Sequence, residues 1–434
     1  MTDKELKEYY NQLMAQRVEI EENEKYSRGK NYKITEQKEA PNPDNRIPIP
    51  LGKSAVTDIV GYAGGTGEIK TEYTNTKTEE QDNITELLSL FDSYNSEGIE
   101  NSELLTRSIS LGIAYELWWV SDELSLPSGV MTPEYKILDN KECLPVYTNS
   151  LKPKLEKFLR FWIDPKQPKE SNKVVDVYYP GKWERYRQVK EDYTLTDEGG
   201  VYPFSSVPVV PFRTSMNNLP VYEAQKPIID AIDRLISNSQ NEVDRYAAAI
   251  LLFPDEVDNE FMKALKDSLQ PYIQNLDNNE KWPEYLAKDL SGITEFTSNQ
   301  IETLNKYFHT TIKIPDFMDK DFAGGDQSGL AIAYKLIGFE FLVAEIEIYF
   351  RTGLKQRFEL CKELINNSTL LVNWDDYDQN IIWNRNLPVD AETKVRIAAM
   401  LKGLGYSDEV IGRFIPDSVA EGVPEEVEAM DIEA

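Results

Sequence analysis

The residue types that could support chemistry are concentrated in short glycine-rich stretches of this 434-residue chain. Gly52-Lys53-Ser54 matches the end of a phosphate-binding loop, in which backbone amides cradle the phosphates and the lysine reaches them. The full loop needs another glycine five positions before Gly52, where this chain carries Ile47. The start of a helix therefore explains this stretch better than a nucleotide site does.

A second glycine-rich stretch, AGGDQSG at 323–329, runs into a long apolar segment. It does not follow a strand, so it lacks the context of a dinucleotide-binding turn. Asp326 or Ser328 can cap the helix that follows, and Gly324 with Gly325 can adopt backbone angles that other residues avoid. A helix cap alone explains the stretch, and a mobile functional loop is the alternative because charged residues precede it.

Catalytic and metal chemistry have little support elsewhere in the chain. His309 is the single histidine, and Cys143 and Cys361 lie far apart, outside any Cys-x-x-Cys pair. Carboxylate pairs such as Asp375-Asp376 have no histidine or metal-ligand pattern beside them. We therefore predict a protein that is not an enzyme, with no metal and no cofactor, and the cysteines suit a reducing compartment.

The charge balance limits the partners. The chain has 75 acidic and 47 basic residues, a formal net charge of −28. Such a surface repels a DNA duplex over most of its area, so any contact with DNA must be local, weak or transient. No segment reaches the ~18–20 apolar residues of a membrane span, and the charged N-terminus is not a signal peptide. We expect no membrane partner and assembly in a cytosol.

The hydrophobic periodicity predicts an α+β fold. Helical patterns occupy about 1–35, 52–63 and 78–113, and strands follow from about 114, including a hairpin that turns at Pro180-Gly181. The later chain is predicted to contain a helix at 222–253, an acidic insert at 254–298, a helix at 299–314, a loop at 315–328, a helix at about 329–366, two strands before 387, two short helices within 388–413, and an acidic tail.

The helix predicted after 329 is apolar on nearly all sides. Its apolar residues are Leu330, Ile332, Tyr334, Leu336, Ile337, Phe339, Phe341, Leu342, Ile346, Ile348 and Phe350. One copy of the chain can cover only one face of such a helix. We therefore expect neighbouring copies to cover the rest, which favours an oligomer.

Several stretches together resemble the portal proteins of long-tailed double-stranded-DNA bacteriophages. They are, in order, KYSRGKNYKI, NRIPIPLGKSAVTDIVGYAGG, LLTRSISLGIAYELWWVSDE, VPVVPF and PDFMDKDFAGGDQSGLAIAYKL, the last followed by the long apolar helix. Each stretch is short, but their order and spacing are specific, and the resemblance covers most of the chain. It implies a head-tail connector, a ring of twelve copies at one capsid vertex, through which DNA is packaged and ejected.

The resemblance also implies a division of the chain. It would comprise a mixed α/β wing (1–221), a stem helix (222–253), a small α/β clip (254–298), a second stem helix (299–314), a tunnel loop (315–328), the rest of the wing (329–387), and a short helical crown with an acidic tail (388–434). The implied partners are copies of the same chain, double-stranded DNA, the terminase large subunit, a head-completion adaptor, and the major capsid and scaffolding proteins. The implied location is the virion, after assembly in the host cytoplasm.

The resemblance further implies a DNA channel lined by the loop before the long helix. The loop residues expected to face DNA are Asp319, Lys320, Asp321, Phe322, Gly324, Gly325 and Asp326, with Ser328 as the helix cap. The basic stem residues Arg234, Arg245 and Lys306 are candidates for contact with DNA or for ion pairs between copies. Two other functional classes stay open: a non-portal virion or scaffold oligomer, and a nucleotide-dependent enzyme.

Overall fold

A computed structural model of the chain describes residues 1–35, 43–64, 69–78, 82–125, 130–168, 171–247, 250–253, 263, 272–274, 284–286, 291–317, 329–368, 370–383 and 385. The helices are α1 (Asp3–Ser27), α2 (Tyr32–Thr35), α3 (Leu51–Ala63), α4 (Asn83–Tyr94), α5 (Glu97–Leu111), α6 (Lys226–Ala247), α7 (Ser291–Ile312) and α8 (Gly329–Asn366). The strands are β1 (Lys70–Asn75), β2 (Ile113–Ser125), β3 (Met131–Ile137), β4 (Cys143–Tyr147), β5 (Leu155–Ile163), β6 (Lys173–Tyr179), β7 (Lys182–Val189), β8 (Asp192–Val201), β9 (Val209–Arg213), β10 (Ile250–Phe253), β11 (Tyr272–Gln274), β12 (Glu284–Leu286) and β13 (Tyr377–Ile382). The mixture of helices and sheets confirms the predicted α+β class.

The first sheet is an antiparallel meander in the order β4-β5-β6-β7-β8, with α1 packed against it. Leu6 and Leu13, two turns apart on α1, are fully buried in the core of this unit. The hairpin predicted at Pro180-Gly181 is confirmed, because β6 and β7 flank these residues and pair in register. Gly181 has a φ of 76°, in the left-handed region that favours glycine.

The main core lies between α8 and a second sheet in the order β3-β2-β9. Phe339, Val343, Ile346, Phe350 and Leu354 recur at helical spacing on the buried face of α8. At Gly353 an added Cβ would lie only 2.6 Å from the ring of Phe212 on β9. Glycine there lets the helix approach the sheet closely. Strands β1 and β13 form a two-stranded antiparallel sheet.

The helix predicted at 222–253 has different limits in the structure. Glu223–Gln225 form a 3₁₀ turn, α6 ends at Ala247, and Ile250–Phe253 form strand β10. This strand pairs in parallel with β11 and antiparallel with β12. The prediction of helix up to Phe253 was wrong because an aliphatic run of four residues fits a strand as well as a helix, and the partner strands supply its hydrogen bonds.

The helix predicted at 299–314 also begins earlier, because α7 starts at Ser291 and ends at Ile312. The acidic insert was predicted to extend to residue 298, but α7 already includes residues 291–298. Two strands were predicted within 369–387; among the described residues of this span the structure shows one, β13, preceded by a 3₁₀ turn at Trp374–Asp376. The two short helices predicted within 388–413 lie outside the described residues.

Candidate functional site

The stem pair, defined here as α6 and α7, joins the main core at one end. Ile229 on α6, and Phe308 and Ile312 on α7, are buried in the same cluster as α8. The two helices pack against each other. The polar faces of this pair are the described surfaces on which the predicted DNA-facing stem residues lie.

An extended segment runs along one face of α6, and we call residues Asn45–Ile49 the strap. The backbone amide of Asn45 donates to Oδ1 of Asn241 at 2.6 Å. The amide of Ile47 donates to Oγ of Ser237 at 3.0 Å, and the amide of Ile49 donates to Oδ1 of Asp233 at 2.8 Å. Every second amide of the strap is therefore held by a side chain from every fourth residue of α6.

The strap and the helix match in both length and chemistry. Two residues of extended chain span about 6.6–6.8 Å, and four residues of α-helix rise about 6 Å. Pro48 follows Ile47 in the strap and Pro50 follows Ile49. Proline has no amide hydrogen, so these positions leave no unpaired donor beside the helix. The strap therefore fixes the N-terminal region along the stem helix.

Two carboxylates at the start of α6 anchor the same region. Asp230 accepts a hydrogen bond from the Tyr26 hydroxyl at 2.5 Å and pairs with Lys33 at 2.8 Å. Asp233 is fully buried and also accepts from Nδ2 of Asn31 at 2.6 Å. Burial raises the pKa of Asp233 to about 6, although the hydrogen bonds from Ile49 and Asn31 act in the opposite direction.

The predicted DNA-facing residues are only partly within the described residues. Arg234 is exposed, its Nε donates to the carbonyl of Asp230 at 3.2 Å, and it lines a pocket of about 200 Å³ with Lys33 and Asp230. Lys306 is exposed on α7. The side chain of Arg245 and all predicted loop residues from Asp319 to Ser328 lie outside the described residues, although α8 does begin directly after Ser328, at Gly329.

The nucleotide-loop interpretation of Gly52-Lys53-Ser54 has no structural support. These residues form the first turn of α3, and the amide of Ser54 donates to the carbonyl of Pro50. A Cβ at Gly52 would lie 3.0 Å from the carbonyl oxygen of Tyr26, so this glycine serves close packing. The prediction of a helix start is confirmed. Among the described residues, no group of three or more His, Cys, Asp or Glu side chains could hold a metal ion.

The basic and aromatic strand β7 does not offer free cations to a nucleic acid. The guanidinium of Arg185 lies over the rings of Trp162 and Trp183 and pairs with Asp176 and Glu198. Its charge is therefore balanced within the sheet. Among the described residues, no helix is long and apolar enough to cross a membrane.

Two features of the site were not found from the sequence. The strap has a signal in retrospect: Asp233, Ser237 and Asn241 recur every four residues on a helix, and prolines alternate with isoleucines in the strap. The buried ion pair of Arg357 on α8 with Glu116 on β2 has a weaker signal, because an arginine within an apolar helix pattern resembles a residue on its exposed face.

Similarity to known proteins extends over most of the chain. The family model described as "Phage portal protein, SPP1 Gp6-like" matches residues 6–433. The portal protein of Clostridium phage phiCD119 is 22% identical over 371 residues, which cover 81% of this chain and 79% of that protein. A chain from the neck of a native GTA particle computed with C12 symmetry aligns with 13% identity and a TM-score of 0.40, over 87% of this chain and 91% of that chain.

The family match extends over nearly the whole chain, from α1 to the acidic tail, and not over one domain only. It therefore includes the stem pair, the strap, the long helix α8 and the segment between α7 and α8. The resemblance noted from the sequence is confirmed at the level of the family: the chain belongs to the SPP1 Gp6-like family of phage portal proteins.

Proposed function

We propose that this portal protein acts as a ring of twelve copies whose axial channel guides double-stranded DNA into and out of the capsid without gripping it. The observation that carries the proposal is the family match over residues 6–433. The strong negative charge of the chain supports the weak grip. Each fixed cation on a DNA-binding surface adds a salt-dependent attraction to the phosphates, which would slow a moving duplex.

Within this proposal, 315–328 is the tunnel loop that faces the DNA. Asp319, Lys320, Asp321 and Asp326 give the loop a net negative charge. Gly324 and Gly325 allow the backbone of each copy to adapt to a duplex whose symmetry differs from that of the ring. The loop keeps the duplex aligned while the chain's acidic surface keeps its hold on the duplex weak.

The exposed stem cations are the candidates for contact with the duplex. Arg234 bonds the backbone carbonyl of Asp230 and lines a pocket with Lys33, which pairs with the carboxylate of Asp230. Lys306 is the more accessible candidate for contact with phosphates or with an acidic residue of the next copy.

The remaining assignments extend this proposal to partners. The segment 254–298, between the two stem helices, would face the terminase large subunit during packaging and the head-completion adaptor afterwards. The wing, at 1–221 and 329–387, would contact the major capsid and scaffolding proteins, and 388–434 would form a small crown. The structure places α7 from Ser291, so the clip proper would end before that residue.

A phage that carries Gly324→Ala and Gly325→Ala in this protein tests the loop proposal. We expect rings of normal size, because the substitutions lie in the loop, and a marked reduction in the DNA content of the heads. DNA content is measured by density-gradient sedimentation of the heads, and ring size by electron microscopy of the purified variant. If this variant packages a normal amount of DNA, the proposal for the loop is wrong.

A further inference from the structure

The outward face of α8 carries a continuous apolar stripe that the single chain leaves open to water. The stripe, defined as Ile337, Phe341 and Ile348, follows spacings of four and seven residues, so its members share one face of the helix. Their side chains are 51%, 63% and 65% exposed. The stripe is about 16 Å long, from a rise of about 1.5 Å per residue.

The stripe lies opposite the face of α8 that is buried in the chain's own core. Phe339, Val343, Ile346 and Phe350 are nearly completely buried and occupy the other side of the helix. A surface helix of a soluble domain normally places polar residues on its outer face. Helix α8 places isoleucine and phenylalanine there, which indicates that another protein surface covers it.

The charged groups along one edge of the stripe are neutralised within the chain, whereas Glu345, on the other edge, has an exposed side chain. Glu340 binds Arg385 at 2.9 Å, and Arg385 also binds Glu347 at 2.7 Å. Glu347 in turn pairs with Arg351. These two carboxylates and two guanidiniums form a neutral flank along one edge of the stripe; Glu340, Glu347 and Arg351 lie on α8, and Arg385 reaches them from beyond β13.

This neutral flank matters because each copy carries a net charge of −28. Identical copies repel one another through this net charge, so a contact surface that brings no further negative charge together is favoured. A closed ring also requires a heterologous contact, in which one surface of a copy meets a different surface of the next. The stripe has the properties that such a contact needs on one of its two sides.

We propose that the Ile337–Phe341–Ile348 stripe is one side of the contact between neighbouring copies, and that a second copy of this chain covers it in the ring. The inference rests on the proposed ring and adds the surface that closes it. Burial of three large apolar side chains stabilises the contact, and the neutral flank prevents charge repulsion at its edge.

The test compares the purified full-length chain with Phe341→Asp, Phe341→Lys and a matched control, Val18→Asp. Val18 is likewise apolar, 66% exposed and on a helix, α1. We expect both Phe341 variants to lower the ring fraction about tenfold or more, because burying an unpaired charge is strongly unfavourable. We expect Val18→Asp to assemble like the wild type. Light scattering after size-exclusion chromatography measures the ring fraction, and circular dichroism checks that the variants fold.

The two substitutions at Phe341 separate burial from charge repulsion. If Phe341→Asp disrupts rings while Phe341→Lys does not, added negative charge explains the loss and the inference is overturned. Rings of wild-type abundance in both variants overturn it as well. If the wild type itself forms no ring, the proposed function fails and not merely the inference.

A second measurement keeps the test independent of folding in the variants. A photo-crosslinking phenylalanine analogue at position 341 differs little in shape from the native side chain. In wild-type rings we expect it to form adducts between two copies, and mass spectrometry of those adducts identifies the opposing surface. Adducts confined to single chains would overturn the inference.

Discussion

Arg357 and Glu116 hold α8 against β2 through a charge pair that is almost completely removed from water. Nη2 of Arg357 lies 2.5 Å from Oε2 of Glu116, Nε lies 3.1 Å from Oε1, and Nη1 donates to Asn101. Burial alone would lower the pKa of Arg357, but Glu116 keeps this pKa well above its usual range. Nearby, burial raises the pKa of Asp92 well above normal, which favours its neutral form.

Arg357→Ala should destabilise the folded chain by about 3–5 kcal/mol, because it leaves the Glu116 carboxylate buried without its partner. The double variant Arg357→Met with Glu116→Leu should recover most of this loss, because it removes both charges and fills the space. Urea unfolding of the three proteins measures the effect. Equal stability of wild type and Arg357→Ala, or of the single and double variants, would contradict the account.

At the scale of elements, the strap connects the N-terminal region to α6. Every second backbone amide of the strap donates to a side chain from every fourth residue of α6. Among the three side chains that accept these bonds, Asp233 is the one that titrates. Its pKa of about 6 lies above the value of 3.8 for a free aspartate side chain. Between about pH 4 and pH 6 the folded chain binds a proton that the unfolded chain has released. The contribution of Asp233 to the free energy of unfolding therefore falls as the pH rises from about 4 to about 6.

Asp233→Asn removes this pH dependence because an amide does not titrate. From about pH 5 to pH 7 the wild type should lose about 1 kcal/mol of unfolding free energy relative to Asp233→Asn. This pH range lies above the isoelectric point of about 4.6, which is the pH at which solubility is lowest. Urea unfolding at four pH values measures the difference. A constant difference between the two proteins across this range would show that Asp233 does not titrate as described.

Elements with strong periodicity were predictable from the sequence, and those that depend on distant partners were not. The β6-β7 hairpin was predictable because Pro180-Gly181 marks its turn between two alternating segments. Strand β10 was not, because Ile250–Phe253 becomes a strand only when β11 and β12 pair with it. The strap also escaped prediction, since nothing local shows that a segment near residue 47 lies beside residue 237.

The candidate site divides in the same way. The residues of the apolar helix were identified from composition and period, and from Leu336 onwards the structure shows which of them face water. The partner of each charge was not predictable: Lys33 pairs with Asp230, and Arg385 connects Glu340 with Glu347, only after the chain folds. The function of the loop from Asp319 to Asp326 remains a proposal that rests on its place between α7 and α8.

For the whole molecule, the family match, the net charge and the exposed apolar stripe all bear on the proposed ring of copies. In a chain of net charge −28, self-contacts through apolar regions avoid added repulsion, and the stripe on α8 is such a region. The same negative charge suits a channel that lets a polyanion slide.

Electron microscopy of the purified full-length chain tests the central claim most directly. Two-dimensional class averages of particles in end-on view show the number of copies and whether the axis is open. The account predicts a closed ring of twelve copies with an axial channel wide enough for duplex DNA. Monomers, filaments or closed shells without a channel would contradict it.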